Sequence, residues 1–408
     1  MTAPSLTEIT RRAEHESSRA AYPDDFPNPI DVPAARYVDP AFFALEREHV
    51  LEQSWLFAAH TDEIPEPGDF LRLDSFACLG HPLLLVRGRD GTIRALYNSC
   101  RHRGGPLVTT PSGSLERFLV CKYHAWTYDL DGKLLGFPEA KNFPLGYAAD
   151  CPGLRTAACE TWGPLVFVRI AEEGPTLREF LEPVASELDG LLRDTAAGVH
   201  FAGKRETAVE CNWKLPADGN LEVYHVPYVH QDSAAPLLDE TRTGQWLLPQ
   251  GHSRMLICFR EPLPAELPLP RFAGDTSLAE RGIYSLHVFP NLSLVMGGPN
   301  FAMAISTLPD GPQHCRYAAH FLSPVARSDE TGGLIDAYVR ANWDVLLEDL
   351  DNLPHAQRSM ASGATPLLRL QYQERRIRYV HEELDRRIGD VPAGLAVPPL
   401  LDGYVEPR

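Results

Sequence analysis

Two short segments of the chain each pair a cysteine with a histidine: "CRHRGGPLV" at residues 100–108 and "CKYHAW" at residues 121–126. Thiolate and imidazole are ligands suited to zinc or to an iron–sulfur cluster. Zinc fingers usually pair Cys with Cys and His with His along the chain, whereas here each segment brings one of each. This pattern favours a binuclear cluster, with two Cys on one iron and two His on the other, over a Cys2His2 zinc site or a chance grouping of core residues. The candidate ligands are Cys100, His102, Cys121 and His124.

A second group of possible ligands lies in "NWKLPADGNLEVYHVPYVH", residues 212–230. His225 and His230 are five positions apart, and a regular helix would place them ~140° apart, which makes a poor chelate. Pro227 lies between them and must disturb a helix, so a bend there could bring both imidazoles onto one metal ion. Two ordinary histidines near a helix end are the alternative.

An acidic side chain that could complete such a site lies in the helix predicted over residues 334–353. The apolar residues of this segment recur at helical spacing and form one stripe. Asp349 neighbours the stripe and can face inward, and Glu348 precedes it. Two His and one carboxylate form the facial triad of non-haem Fe(II) oxygenases, which leaves positions open for O2. A cluster that delivers single electrons is a natural partner for such an iron.

The elements that must position these residues follow two patterns. Over residues 57–170, short apolar runs alternate with Gly, Pro and Asp-Gly turns, which predicts a small all-β module with both Cys-His pairs in its loops. Helical segments follow, and a second strand-rich stretch covers about residues 252–322. After the helix with Asp349, the periodicity predicts a last helix over residues 370–389. Residues 1–35 are polar and proline-bearing and are expected to form a leading arm.

Composition narrows the class of protein. The chain has 408 residues, 44% of them hydrophobic, which suffices for two or three domains. Its formal net charge of −17 disfavours nucleic-acid binding, which needs a basic face. The N-terminus is charged where a signal peptide needs an apolar core, and no apolar run reaches the ~18–20 residues of a membrane span. Eight scattered cysteines indicate a reduced cytoplasmic protein rather than a disulfide framework.

The two Cys-His segments resemble the ligand motif of Rieske [2Fe–2S] proteins, and in particular of the ring-hydroxylating oxygenases. Rieske proteins of respiratory complexes carry an extra cysteine in each loop, and a disulfide joins the two. The corresponding positions here are Gly105 and Tyr123, so the resemblance implies no disulfide and a potential at the lower end of the Rieske range, roughly −150 mV. The family often has Gly after the last His, where this chain has Ala125.

The later segments resemble Rieske non-haem iron oxygenase α subunits. "DGNLEVYHVPYVH" is similar to the mononuclear-iron motif of that family, and "EDLDNLPHAQ" to its later acidic motif. The resemblance extends from about residue 37 to the C-terminal helix, and it implies His225, His230 and Asp349 as iron ligands. Pro354 stands where the family commonly has Glu, so Asp351 stays an alternative to Asp349.

The resemblance also implies how the two centres communicate. In this family three α subunits form a ring, and the short electron route runs between neighbouring subunits. A carboxylate three residues before the first iron-binding His bridges the centres, and here that residue is Glu222. It would bind His225 of its own subunit and His124 of the neighbour, because a ligand histidine needs an acceptor for its free N–H. Many members have Asp here, and Glu occurs among enzymes that attack amines and acids.

The fold implied is α+β: an all-β Rieske [2Fe–2S] module over residues 38–172, inserted before a helix-flanked antiparallel-sheet catalytic domain formed by residues 1–37 and 173–408. The activity implied is that of a terminal oxygenase, which uses O2 and electrons from NAD(P)H to hydroxylate an aromatic or heteroaromatic substrate. The alternatives are N- or O-demethylation within the same family and, in another class, a non-enzymatic Rieske redox sensor. No GxGxxG or flavin signature is present, so a ferredoxin or flavin reductase is expected to supply the electrons. The resemblance also implies a homotrimer, with or without a β subunit.

Two further groups of residues are candidates for contacts with partner and substrate. A basic rim around the cluster loops would steer an acidic electron donor, although ordinary surface charge is an equal alternative. This rim comprises Arg101, Arg103, Arg117, Lys122 and Lys141. Residues of the second strand-rich stretch are expected to line the substrate pocket, although strand alternation directs only half of them inward. These candidates are Phe259, His287, Phe289, Asn291, Leu294 and Met296.

Overall fold

The chain folds into two compact units. Residues 52–174 form the smaller unit, and the residues up to 51 and from 175 onward form the larger one. The computed structural model describes residues 6–192, 198–264, 268–274 and 276–401. Among these, no helix combines the length and the apolar character needed to cross a lipid bilayer. The prediction of an α+β fold with an all-β module is confirmed.

Antiparallel strands build the smaller unit. A seven-stranded sheet has the order β2-β11-β10-β5-β4-β3-β6, and a three-stranded sheet has the order β7-β8-β9. Gly91 and Gly132, in the two predicted Asp-Gly turns, take left-handed φ values of 79° and 87°, which cost glycine little. The strands are β2 Leu56–His60, β3 Asp69–Leu73, β4 Leu83–Arg87, β5 Ile93–Tyr97, β6 Ser112–Ser114, β7 Leu119–Val120, β8 Thr127–Tyr128, β9 Leu134–Gly136, β10 Thr156–Trp162 and β11 Leu165–Arg169. The helices are α3 Asp74–Cys78 and α4 Tyr147–Asp150.

A seven-stranded antiparallel sheet of order β12-β18-β17-β16-β15-β14-β13 forms the centre of the larger unit. A two-stranded sheet pairs β1 Val32–Pro33 with β19 Leu367–Leu368. The central strands are β12 His200–Val209, β13 Leu238–Leu247, β14 Ser253–Phe259, β15 Gly282–Val288, β16 Leu292–Gly297, β17 Ala302–Pro309 and β18 Cys315–Ser323. The helices are α1 Leu6–Ser18, α2 Pro40–Glu46, α5 Leu177–Leu181, α6 Ala185–Leu192, α7 Lys214–Gly219, α8 Val226–Val229, α9 Gly332–Leu350, α10 Leu353–Ala361 and α11 Arg375–Ile388.

Strand alternation gives the central sheet two different faces. Ser253 of β14 accepts a hydrogen bond from Arg376 of α11. The next residue, Arg254, points the other way and pairs with Glu187 of α6. Tyr317 of β18 contacts α9 on the same side as Ser253. We call this side, which carries α9 and α11, the inner face.

The predicted C-terminal helices are confirmed, with small shifts of their ends. The helix expected at 334–353 ends at Leu350, and a new helix begins at Leu353. Pro354 lies in the first turn of that new helix, where its missing N–H costs nothing. The helix expected at 370–389 ends before Gly389, whose φ of 79° terminates it.

Several elements were missed from the sequence, and α1, β12 and β13 are the largest of them. The predicted leading arm contains α1, which packs on β13. Strands β12 and β13 fall outside the predicted strand-rich stretch. β12 is an edge strand with several charged residues and an irregular burial pattern, so its alternation is weak.

Candidate functional site

The candidate cluster ligands of the smaller unit lie on two loops, one between β5 and β6 and the other between β7 and β8. Each loop is closed by short backbone hydrogen bonds. The Cys100 N–H donates to the Gly105 carbonyl at 2.8 Å, and the Ala125 N–H donates to the Cys121 carbonyl at 2.8 Å. Ala125 has a φ of 55°, a conformation that glycine adopts at lower cost.

The thiols of the two loops face inward and the imidazoles face outward. Cys100 and Cys121 are 3% and 2% exposed, and their thiols are hydrogen-bonding neighbours. His102 and His124 are half-buried, and their Nδ1 atoms lie 3.1 Å apart. Burial raises the pKa of the Cys100 thiol, so a bound cation is needed to hold it as thiolate at neutral pH. Two inward sulfurs beside two outward nitrogens fit a binuclear cluster with a buried iron and an iron near the surface.

Close surroundings support these loops. The Tyr128 hydroxyl accepts from the Arg101 N–H at 3.1 Å and lies 3.2 Å from the Cys100 Sγ, so its own proton is free to donate to the sulfur. The Trp126 ring stacks on His102, with ring centroids 5.1 Å apart and planes 5° apart. Tyr128 could not be singled out from the sequence, because its role depends on contacts with a loop about 28 positions earlier in the chain.

Gly105 and Tyr123 face each other across the two loops. A Cβ atom at Gly105 would lie 3.5 Å from the Cβ of Tyr123, at the short end of the Cβ–Cβ range that a disulfide requires. It would also lie 3.2 Å from the Cys121 Sγ. Neither position is a cysteine, so the loops are held by hydrogen bonds and packing.

The second candidate group converges in the larger unit. The Oδ1 atom of Asp349 lies 2.9 Å from Nε2 of His230 and 3.4 Å from Nε2 of His225. The three potential ligand atoms all lie within 4.8 Å of one another. Asp351 is not part of this group, because it lies beyond the end of α9. Two imidazoles and one carboxylate in this arrangement match a 2-His-1-carboxylate iron site.

A break in the helix brings the two histidines together. Helix α8 contains only Val226–Val229, with Pro227 in its first turn. His225 precedes this helix and His230 follows it with φ −103° and ψ 35°, outside the helical region. The five-residue spacing that disfavours chelation on a regular helix therefore no longer applies.

Each histidine of this group is also held by an outer carboxylate. The Nδ1–H of His225 donates to Glu222. The Nδ1–H of His230 donates to Glu348 at 2.7 Å, and Ser233 donates to the same oxygen at 2.7 Å. Carboxylates on the far nitrogens fix both rings with Nε2 directed at Asp349, where a shared metal ion would bind. The sequence singled out Glu222, but it gave no role to Glu348 or Ser233.

These carboxylates also set the charge state of the metal-free site. Burial opposes protonation of His225, but the hydrogen bond and charge of Glu222, and then the charge of Asp349, outweigh it and raise its pKa. Burial likewise opposes protonation of His230, and its bonds to Asp349 and Glu348 raise its pKa to about 9. The negative charge gathered at this point is suited to a divalent cation.

A cavity of about 360 Å³ opens beside Glu222, His225 and Asp349. Asp218 and Glu374 line it as well. Burial, with smaller contributions from neighbouring carboxylates, raises the pKa of each of these two acids to about 7. With Glu222 and Asp349, four acidic residues line the cavity against one basic residue, Arg369, so its wall is predominantly acidic.

Part of the inner face, next to the second group, is apolar. Val223 and Val226, which flank His225, pack against Met255 and Phe259 of β14. Of the predicted pocket residues, Phe259 is thus on the inner face, and so is His287, which pairs with Ser253 in the sheet. The register directs Leu294 and Met296 to the opposite face, because His287 contacts Ser293. Phe289 and Asn291 lie between β15 and β16.

Comparison with known proteins accounts for both units. The family model for the Rieske [2Fe–2S] domain matches residues 54–156, and the model for the ring-hydroxylating alpha subunit (catalytic domain) matches residues 196–390. The chain therefore carries a Rieske [2Fe–2S] domain and a catalytic domain of the ring-hydroxylating alpha subunit type. The predicted cofactors of this family, a Rieske [2Fe–2S] cluster and a mononuclear iron, are confirmed by these two domains.

Curated relatives of this chain include both monooxygenases and dioxygenases. It is 36% identical over 211 residues to the glycine betaine monooxygenase oxygenase subunit of Chromohalobacter salexigens, a match that covers 51% of this chain and 45% of the relative. It is 34% identical over 199 residues to the biphenyl dioxygenase subunit alpha of Metapseudomonas furukawaii, which covers 46% of this chain and 42% of the relative. The chain thus spans less than half the length of the curated relatives it matches.

Solved structures resemble the chain over nearly its whole length. The quaternary ammonium Rieske monooxygenase CntA, in complex with an inhibitor, matches with a TM-score of 0.74 and 21% identity, over 91% of this chain and 100% of that chain. Naphthalene 1,2-dioxygenase from Rhodococcus sp., bound to indole, matches with a TM-score of 0.72 and 22% identity. The match covers 95% of this chain and 100% of that chain. At this identity the likeness concerns the fold.

Proposed function

We propose that this chain is the terminal component of a Rieske oxygenase system, which hydroxylates a small organic substrate with O2 and electrons from a ferredoxin or flavin reductase. The observation that carries the proposal is the convergence of His225, His230 and Asp349, in a chain that also holds two Cys and two His on facing loops. A redox sensor that used the cluster alone would have no use for the second set of ligands.

The residues divide into two binding groups. In the smaller unit, Cys100, Cys121, His102 and His124 would hold the cluster. In the larger unit, His225 and His230 would bind iron through Nε2, with Asp349 as the third ligand. The chemistry that these groups supply when bound is one-electron transfer and O2 activation at open coordination positions. Glu222 and Glu348 would keep both imidazoles oriented and accept their Nδ1–H bonds throughout turnover.

We further propose that the chain works as a homotrimer in which Glu222 links the two kinds of centre. Charge complementarity supports this arrangement. The cavity beside Glu222 has an acidic wall, whereas the rim residues Arg101, Arg103 and Lys122 beside the cluster loops are exposed. A basic cluster edge from a neighbouring subunit would therefore fit the acidic cavity and bring its His124 to Glu222.

An aromatic or heteroaromatic ring is the leading substrate class. Its support is the apolar wall of Val223, Val226, Met255 and Phe259 beside His225, which would bury the ring surface. Oxidation of a methyl group on a quaternary ammonium compound is the second candidate. The names of two similar proteins, glycine betaine monooxygenase and CntA, favour it, as does Glu in place of Asp at position 222.

The test is O2 uptake by the iron-loaded protein with NADH, a reductase and a panel of substrates. The panel contains aromatic hydrocarbons, aromatic acids, and quaternary ammonium compounds. We expect at least one class to raise O2 uptake and to yield a product with 18O from 18O2. Protein that holds both iron centres but oxidises no member of any class would contradict the proposal.

A further inference from the structure

Arg376 is a buried cation of the larger unit that has no anionic partner among the described residues. Arg376, on α11, is 0% exposed. Its Nε donates to Ser253 Oγ at 2.9 Å and its Nη1 to the Leu221 carbonyl at 3.4 Å, while Nη2 has no partner. In the part of the chain that the structure describes, no carboxylate lies within ion-pair distance of this guanidinium. Burial lowers the pKa of Arg376 to about 9, which leaves it charged at neutral pH.

The other buried basic residues of this unit show that a guanidinium without a nearby carboxylate is unusual here. Of the six other buried Lys and Arg residues described in this unit, five have a carboxylate within ion-pair distance, as expected because an unpaired buried charge is costly, and Arg375 donates to the Tyr372 carbonyl and lies over the Tyr372 ring. These pairs are Arg12–Glu16, Arg36–Asp385, Lys214–Glu46, Arg254–Glu187 and Arg378–Glu382. An uncompensated guanidinium in the same interior indicates a place for an anion that is not part of the chain.

Two further donors without partners lie on the same inner face. His287 is 1% exposed, and its Nε2 is unpaired. If the Ser293 hydroxyl donates to Nδ1, at 3.4 Å, then Nε2 carries the proton and is a donor. Ser285 is 3% exposed, and its hydroxyl is also unpaired. Ser253, the contact of Arg376, pairs with His287 in the sheet, so these groups are neighbours.

The position of these donors relates them to the candidate iron site. Arg376 contacts the carbonyl of Leu221, which immediately precedes Glu222. Met255, opposite Ser285 in the register, belongs to the apolar wall beside His225. Successive inward residues on a strand are about 7 Å apart, a distance that a small molecule can span.

We propose that Arg376, His287 and Ser285 form an anion subsite that binds the carboxylate of the substrate, while its apolar part lies against Met255 toward His225. The proposal rests on the proposed oxygenase function and narrows it to carboxylate-bearing substrates. Arg376 acts here as a specificity-determining residue, because three donors without an acceptor favour an anion over a neutral amide or ester.

The test compares ligands that differ only in charge. Isothermal titration calorimetry measures the binding of benzoate and benzamide, and of glycine betaine and its methyl ester, to the iron-loaded protein under anaerobic conditions. We expect the wild type to bind the acid of at least one pair about 10- to 150-fold more tightly than its neutral analogue, the factor for a charge-assisted hydrogen bond. Arg376→Met should abolish that preference, Arg376→Lys should keep part of it, and the neutral analogues should bind all variants alike.

Arg340→Met is the matched control, because it removes an exposed positive charge from α9. It should keep the preference. A purely structural Arg376 would instead lower the melting temperature when replaced by Met and leave the preference intact. The proposal predicts an unchanged or higher melting temperature, since a buried unpaired charge is removed.

Three results would overturn the subsite. They are equal binding of acid and neutral analogue by the wild type in both pairs, a preference that survives in Arg376→Met, and binding of chloride but of no organic acid. Oxygen uptake with a neutral hydrocarbon in that case would leave the oxygenase proposal standing. Failure of every substrate to support O2 uptake would contradict the oxygenase proposal itself, whatever the binding data.

Discussion

Removal of Glu348 should weaken metal binding at His230 without disturbing the cluster. The Nδ1–H of His230 donates to Glu348 at 2.7 Å, and Ser233 holds the same oxygen. Loss of such an outer carboxylate typically reduces metal affinity by about 10- to 100-fold. The Glu348 side chain is 38% exposed, so solvent screens part of its charge and the lower half of that range applies. For Glu348→Ala we therefore expect a loss of about 10- to 30-fold.

Glu348→Gln separates the hydrogen bond from the charge. The amide oxygen can still accept from Nδ1, so the ring stays oriented and only the charge assistance is lost. That difference is about 1 kcal/mol, or roughly 5-fold in affinity. Asp344→Asn is the matched control, because Asp344 is an exposed acid one turn earlier on α9. It should bind metal like the wild type.

The assay is competition for Fe(II) between the protein and a ferrous chelator of known affinity. The visible absorbance of the cluster in the smaller unit serves as an internal standard. The expected order of affinity is wild type and Asp344→Asn, then Glu348→Gln, then Glu348→Ala. Wild-type affinity in Glu348→Ala would refute the orienting role of this carboxylate, and an equal loss in Asp344→Asn would show a non-specific charge effect.

Three other changes test separate parts of the structure. Glu222→Gln should keep both metal centres and slow cluster reoxidation in a single turnover by about 10- to 150-fold, because the amide presents an N–H to one of the two imidazole N–H groups that Glu222 would bridge, so one charge-assisted hydrogen bond is lost; reoxidation at the wild-type rate would exclude Glu222 as the bridge. Tyr128→Phe removes a donor to the Cys100 sulfur and should lower the cluster potential by about 20–60 mV in voltammetry, with an unchanged potential as the contrary result. Asp218 has a pKa raised to about 7 by burial, so the folded protein binds its proton more tightly than the unfolded chain, and stability is lost as pH rises from about 4 to 7. Asp218→Asn should therefore gain stability relative to the wild type over this window, by up to about 4 kcal/mol in denaturant unfolding, and a difference independent of pH would contradict this.

The residues of both candidate ligand sets could be picked out from the sequence because they lie in short, characteristic segments. One set occupies two loops, each with one cysteine and one histidine: Cys100 and His102 on the first, Cys121 and His124 on the second. This spacing along the chain is visible in the sequence. The effect of Pro227 on the relative positions of His225 and His230 was also foreseeable, since proline disturbs a helix. The choice of Asp349 over Asp351 needed the end of α9, which the structure places at Leu350.

Groups defined by contacts between distant segments were not foreseeable. Glu348 meets His230 across 118 positions of sequence, and Arg376 meets Ser253 across 123. Strand β12 carries little alternation, and α1 lies in a polar, proline-bearing segment that favours an arm. The boundaries of 38–172 for the Rieske module, the roles of the site residues, the trimer and the cytoplasmic location stay predictions.

Iron and acid-labile sulfide analysis tests the central claim most directly, because it needs no knowledge of the substrate. The purified wild-type chain should contain about three iron atoms and two sulfides, the sum of one binuclear cluster and one mononuclear site. The Asp349→Ala variant should lose about one iron and keep both sulfides and the visible spectrum of the cluster. Tetrahedral zinc without labile sulfide, or an Asp349→Ala protein that retained all of its iron, would contradict the account.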